Sequence, residues 1–332
     1  MTAHTSAFLH ALNTGVVRLC SILFSGLITL LAVPVVFAFD GESDRRITFL
    51  LSAQSSVYEQ IASAAERKFR ELCLIENISC DNLPFESHTA DNSLQKNDLS
   101  PGLKVLLGTK AAKIGSDLFH TGIRLNAMIP RPLDSGQATK QSRDVLNVYI
   151  DQPFSRYFDL INLTIPRAGR VGVLVHESNQ MIIPRLVQIA KSKNMQLRTA
   201  IIGKRRDVGE ALSLLLSDID VLLALPDSRI HNSKTISHIL TTAYRNNIPV
   251  IGFSSAYVKA GATGAIYTSP DNIAQQLAEV IFDIITKQNR INDSQTASYF
   301  SVIFNYEVTR SLGLPTFSTR EIKSKISIGD ME

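Results

Sequence analysis

The chain has 332 residues, 45% hydrophobic and 19% charged, which is enough apolar material for a large core and enough length for two lobes. That composition excludes a disordered, fibrous or repeat-built chain. The formal net charge of +4 brings no polybasic patch, and no motif points to nucleic acid.

Over the first 39 residues Arg18 is the only charge, and Leu19 to Ala38 is an uncharged run ending in Val36-Phe37-Ala38. A basic residue, an apolar stretch and small residues at a cut site predict a secretory signal peptide over 1–38. The alternative is an uncleaved membrane anchor, since about twenty apolar residues span a bilayer, although Pro34 weakens such a span. Under both readings the chain from Asp40 onward lies outside the cytoplasm. Cys20 falls in the leader, while Cys73 and Cys80 remain with six residues between them. In an oxidising compartment they form a short local disulfide or stay as two partly buried thiols, and spacing does not decide.

Short β-rich runs then alternate with amphipathic helical stretches. Arg46 to Leu51 predicts a strand, and Ser55 to Leu72 a helix with Val57, Ile61, Ala64 and Phe69 on one face. Lys104 to Leu107 is the next strand, Lys110 to Phe119 a helix, Arg124 to Ile129 a strand, Pro130 to Asp144 a polar loop and Val145 to Ile150 a strand. A second series follows: strands at Arg170 to Val175, Gln196 to Ile202, Val221 to Leu225 and Pro249 to Phe253, with helices at Met181 to Ser192, Asp207 to Leu216 and Arg229 to Asn246. The strands are nearly all apolar, as in parallel sheets covered on both faces. Two consecutive βα series predict an α/β protein of two doubly wound parallel-sheet lobes. A strand near 265–268, a helix over 271–286 and a strand near 299–304 must join one lobe or the other, so the chain crosses between lobes through a multi-strand hinge. The expected division is 44–152 with about 269–292 in the first lobe, 153–268 with about 293–320 in the second, and 321–332 as a C-terminal tail.

In open α/β sheets ligands bind beyond the carboxyl ends of the strands. Those ends are Ser52-Ala53-Gln54-Ser55, Gly108-Thr109, Pro130-Arg131, His176-Glu177-Ser178-Asn179, Leu225-Pro226-Asp227-Ser228 and Phe253-Ser254-Ser255. Hydroxyls, amides and acids there are also favoured helix caps and loop residues, so each alone reads as a cap. Together, on two lobes, they would face one cleft.

The leader, LLSAQSSVYEQ, GTKAA, DQPFSRYFDLINLTIPRAGRVGVLV, LPDS and NNIPVIGFSSAYVKAGATGAIY, in that order, resemble the ABC-transporter substrate-binding proteins of the tryptophan/tyrosine-receptor-like group. The resemblance implies a type I periplasmic-binding-protein fold, and a periplasmic receptor that closes on a small-molecule solute and delivers it to a membrane permease and its ATPase. It implies no cofactor and a monomer, and it places Ser52, Gln54, Ser55, Tyr58, Gly108 and Thr109 at the solute site. It further matches Asp227 to the second-lobe acid that can meet a ligand ammonium. An acid common in the family at the late return strand is shifted or replaced in Thr268-Ser269-Pro270-Asp271. Ser178, Asn179 and Ser228 complete the second-lobe candidates, and Arg131 is a candidate for a solute carboxylate. Tyr58 and Phe253 are candidates for stacking on the solute, with core or hinge packing as the competing reading.

No G-x-S-x-G elbow, G-x-G-x-x-G, P-loop or H-E-x-x-H is present. His176-Glu177 alone is a weak acid/base pair, and His88, His120, His176, His231 and His238 never fall into metal-ligand spacing. A non-enzymatic transport receptor is therefore the leading expectation. A periplasmic sensory subunit docking the same clamshell on a receptor ectodomain is the alternative.

Overall fold

Why β1 (Ile47–Leu51) is buried at every position follows from what covers it. A computed structural model of the chain describes residues 46–91, 102–120, 122–131, 144–287 and 294–329. In it Ile47, Phe49 and Leu51 enter one core with α1 (Ser56–Ile75), while Leu50 enters another on the opposite face. β3 (Leu103–Leu107) does the same, with Val105 and Leu107 on the α1 side and Leu106 against Ala111 and Phe119 of the segment that holds α2 (Thr109–Leu118). The strand period of two thus distributes one apolar run over two layers.

With β2 (Phe85–Thr89), β4 (Arg124–Ile129) and β5 (Val145–Tyr149), these strands make a five-stranded, all-parallel sheet ordered β2-β1-β3-β4-β5. β2 is absent from the sequence reading. It is an edge strand whose five residues, FESHT, are partly buried or exposed, so it lacks the apolar run that announces its neighbours. The Cys73 and Cys80 sulfurs are bonded, tying the end of α1 to the loop that enters β2.

The second sheet is ordered β11-β10-β9-β8-β6-β7, from β6 (Arg170–His176), β7 (Gln196–Ile202), β8 (Val221–Leu223), β9 (Val250–Gly252), β10 (Gly264–Tyr267) and β11 (Ser301–Phe304). All its pairings are parallel except β10 with β11. Helix α3 (Phe154–Thr164), not anticipated from sequence, buries Tyr157, Phe158, Leu160 and Ile161 against this sheet. α4 (Ile183–Ser192) begins two residues later than expected, after a 3-10 turn over Glu177–Ile182. α5 (Val208–Leu216) lies on the other face with α6 (Ile236–Arg245).

α6 corrects a larger expectation, since the helix predicted from Arg229 starts only at Ile236. Local side-chain bonds hold the intervening chain in turns: Asn232 Oδ1 accepts from Lys234 N at 3.0 Å, and Thr235 Oγ1 accepts from Asn232 N at 3.1 Å. Such bonds compete with helix formation.

After the short α7 (Ser255–Lys259) and β10, the chain returns to the first lobe as α8 (Pro270–Lys287). There Ile273, Leu277, Ile281 and Phe282 pack into the core shared with α1. It then re-enters the second sheet as β11, followed by α9 (Tyr306–Ser311) and α10 (Thr319–Gly329). The segment expected as a tail is helical there, and Ile322 and Ile326 are buried in the second-lobe core. The expected leader over 1–38 and nearly all of the polar loop over 130–144 lie outside the described residues. Among the described residues no helix is long and apolar enough to cross a membrane.

The crossings are joined by side-chain hydrogen bonds. Gln152 Nε2 donates to Thr268 Oγ1 at 2.6 Å and to Tyr299 O at 3.1 Å, and Thr268 Oγ1 donates to Ile150 O at 2.6 Å. Arg156, buried, donates to Gln152 Oε1, Ala297 O and Ser298 O. All three crossing segments are thereby tied together by bonds that both lobes share, and buried polar groups satisfied in this way hold one geometry.

Candidate functional site

At the carboxyl edge of the first sheet one polar strand end, Ser52, is committed to the fold. The first amides of a helix lack internal acceptors, and at α2 the N-cap position is Gly108, which has no side chain to supply one. Ser52, at the end of the neighbouring β1, fills the role: its Oγ accepts from Ala111 N at 2.9 Å. Gly108 has φ +92°, and a Cβ there would lie 2.5 Å from Ser52 Oγ and 2.7 Å from Tyr58 Oη. The close approach of Ser52, Tyr58 and Gly108 therefore requires glycine. Ser55 occupies the N-cap position of α1 without a side-chain cap bond, and Gln54 and Thr109 are exposed.

A cleft of about 680 Å³ opens between this edge and the second sheet. Pro130 and Arg131 after β4 and Asp151 after β5 line one side. Ser178, Asn179, Pro226, Asp227, Ser228, Arg229, His231 and Phe253, beyond β6, β8 and β9, line the other. Six sequence candidates are thus brought together: Arg131, Ser178, Asn179, Asp227, Ser228 and Phe253. Ser52, Gln54, Ser55, Tyr58, Gly108 and Thr109 are not among the lining residues.

Asp227 is the most heavily bonded group of the cleft, its side chain only 8% exposed. Oδ1 accepts from the backbone N and the Nε of Arg229, both at 3.0 Å. Oδ2 accepts from Asn179 Nδ2 at 2.7 Å and from Arg229 Nη2 at 3.2 Å. Burial alone pushes this carboxyl up, but the hydrogen bonds and charge of Arg229, with the Asn179 amide, bring it below the ordinary value. Arg229 Nη1 in turn donates to Ser178 Oγ, which lies 3.0 Å from His176 Nδ1.

Behind this pair His231, Phe253 and Tyr257 form an aromatic cluster with centroids 5.3 to 5.7 Å apart. The Tyr257 hydroxyl is 3.0 Å from His231 Nδ1, and the buried Nε2 has no hydrogen-bond partner among the described residues. Burial lowers the His231 pKa to about 4 against a weaker upward pull from Asp227, so the ring is neutral at physiological pH. Across the cleft, Asp151 Oδ2 accepts from Arg131 N at 2.5 Å, and burial raises this carboxyl while the Arg131 bond and charge oppose it. The Arg131 guanidinium lies over the Tyr149 ring, 5.9 Å from its centroid.

Sequence reasoning missed Asp151, Arg229 and His231. The sequence pattern places Arg229 at the start of a helix, and its spacing of two from Asp227 is the available signal. In the sequence His231 enters only as one of the histidines without metal-ligand spacing; among the described residues no group of three or more His, Cys, Asp or Glu is placed to hold a metal ion. Asp271, near the family's late acid, pairs with Lys68 of α1 at 3.2 Å and is not among the residues lining this cleft.

Sequence comparison with curated proteins gives no match. The fold is similar to that of a substrate binding protein with adhesive properties from Clostridium difficile, in its ligand-free, open form. The TM-score is 0.64 at 17% identity, over 82% of this chain and 96% of that one. An ABC domain in complex with L-Trp from Streptococcus pneumonia matches with TM-score 0.56 and 15% identity, over 85% and 98%. A conserved domain protein from Vibrio cholerae gives 0.55 and 17%, over 85% and 98%. The family model for ABC transporter substrate binding proteins matches residues 137–318. That span is more than half of the chain and contains the whole second-lobe side of the cleft, so the protein belongs to the ABC transporter substrate binding protein family.

Proposed function

We propose that the protein is the periplasmic receptor of an ABC-type importer, which closes its two lobes on a small solute and presents it to a membrane permease and its ATPase. The observation that carries this reading is the cleft itself, lined from both lobes by polar side chains at strand ends and spanned by a hydrogen-bonded hinge. A solute touching both sides makes contacts available only when the lobes approach, and so shifts the equilibrium toward the closed form. The work is mechanical, with no bond of the solute broken, and the partner reads the closed shape of a monomer. The residues assigned to the solute are those lining the cleft, with the first-lobe strand ends supporting them.

A solute library screened by thermal shift identifies ligands, because binding to the folded form raises the melting temperature. At saturation the radius of gyration from X-ray scattering should then fall, and the ligand should be recovered unchanged. Stimulation of the ATPase of a reconstituted permease by the loaded receptor is the further expected result. Binding with no compaction would remove the closure mechanism, and turnover of the ligand would make the protein an enzyme.

A further inference from the structure

We infer that the cleft selects its solute by a carboxylate, received at Arg229, and that the solute is an organic monocarboxylate with an apolar body and no required amine. The inference rests on the receptor reading above and names the class of solute for the same cleft.

A carboxylate has about four lone-pair directions for acceptance. Those of Asp227 are matched by four protein donors: the Arg229 backbone N–H, Nε and Nη2, and the Asn179 amide. An incoming ammonium would have to displace one of them from a nearly covered side chain, and the turn therefore does not offer an acceptor. It offers donors. Three of the five guanidinium N–H groups of Arg229 are engaged, by Asp227 and Ser178, which leaves two uncommitted on a side chain that is 46% exposed and lines the cleft.

Asp227 and Ser178 hold the guanidinium in place before any solute arrives, so little side-chain entropy is lost on binding. A carboxylate, with two acceptor oxygens, suits the two donors that remain.

On the opposite side, Arg131 is exposed and forms no ion pair within 4 Å among the described residues. Asp151, which also lines the cleft, accepts from the Arg131 backbone N–H at one oxygen, and the nearby Arg131 charge offsets its own. Closing the cleft brings Arg131 toward Arg229, which like charges oppose until an anion lies between them. An anionic solute thus makes a contribution to the closed form that a neutral or cationic one does not. Phe253, with Pro226 and Pro130, gives the same cleft its apolar walls.

The test is calorimetry and scattering on the purified protein with 3-phenylpropanoate, 3-phenylpropanamide, 2-phenylethylamine and L-phenylalanine. The propanoate should bind at least about tenfold more tightly than its amide, as the loss of charge-assisted hydrogen bonds requires. The amine should not bind, and the amino acid should bind no better than the propanoate. Arg229→Gln should weaken the propanoate at least about tenfold. Because that change also strips Asp227 of its partner, the double variant Asp227→Asn with Arg229→Gln is measured alongside, and it should show the same loss with its circular dichroism intact. Equal binding of acid and amide, tighter binding of an amine-bearing solute, unchanged affinity in the double variant, or no binding of the propanoate at millimolar concentration would each overturn the inference. Compaction by the amine or amide alone would overturn it while leaving the receptor reading standing. Carboxylate-selective binding without compaction would support it and remove the closure mechanism.

Discussion

The two edges that face each other across the cleft are both rich in polar residues, yet they spend them differently. On the first lobe, the Ser52 hydroxyl serves a backbone amide of α2 that Gly108 cannot cap, and Tyr58 closes over the same spot. On the second lobe, Asp227, Asn179, Ser178 and Arg229 bond to one another and leave guanidinium hydrogens over the cleft. A polar residue at a strand end is a fold element when its partner is the next helix. It is a site element when its partners are other side chains and one of them keeps unused donors.

The sharpest way to break that contrast is at Gly108. An alanine there must adopt φ +92° and drive its Cβ to 2.5 Å from Ser52 Oγ, so Gly108→Ala should destabilise the protein by about 3 kcal/mol. Urea denaturation measures it. A loss below about 1 kcal/mol would show that the first-lobe edge is looser than described, and free to serve a solute.

On the second lobe the comparable effect is one of pH. The His231 pKa falls from 6.5 to about 4 on folding because the ring is buried. The unfolded chain therefore takes up a proton at a pH where the folded one does not. Stability due to this group is complete above pH 6.5, declines as pH falls, and is lost by about pH 4, amounting to about 3 kcal/mol by linkage. Asp227, held below its ordinary value of 3.8, adds a further loss below that window, as pH falls from 3.8 through its lowered folded value. His231→Phe should flatten the slope of unfolding free energy between pH 6.5 and 4. An unchanged slope would mean that the ring protonates freely in the folded state.

The sheets were legible wherever strands are apolar on both faces, as in β1, β3 and β6, because burial between two helical layers writes a continuous run into the sequence. β2 was not, being an edge strand with no fully buried residue. α3 was hidden because a charged residue, Arg156, sits among its buried positions and bonds across the hinge to Gln152, which precedes the helix. At the site, position beyond the strand ends found Asp227 and Asn179. It did not find Arg229, because a single residue does not reveal whether its charge is turned to solvent or folded back on the acid two positions before it. Asp227 and Arg229 are within hydrogen-bonding reach only because residues 227–235 form turns instead of a helix.

Two serines measure the smallest and most specific difference between the edges. Ser52→Ala removes the acceptor of a buried helix amide and should cost about 1 kcal/mol, the value of a lost cap, with solute affinity unchanged. Ser178→Ala removes a partner of Arg229 on an exposed turn. Its effect on stability should stay within about 0.5 kcal/mol, while solute affinity falls because the guanidinium is no longer held against the wall of the cleft. Paired urea titrations and calorimetry read both quantities on both variants. If the two serines moved stability and affinity alike, the first-lobe edge would be part of the solute site after all, and Ser52 would be its contact.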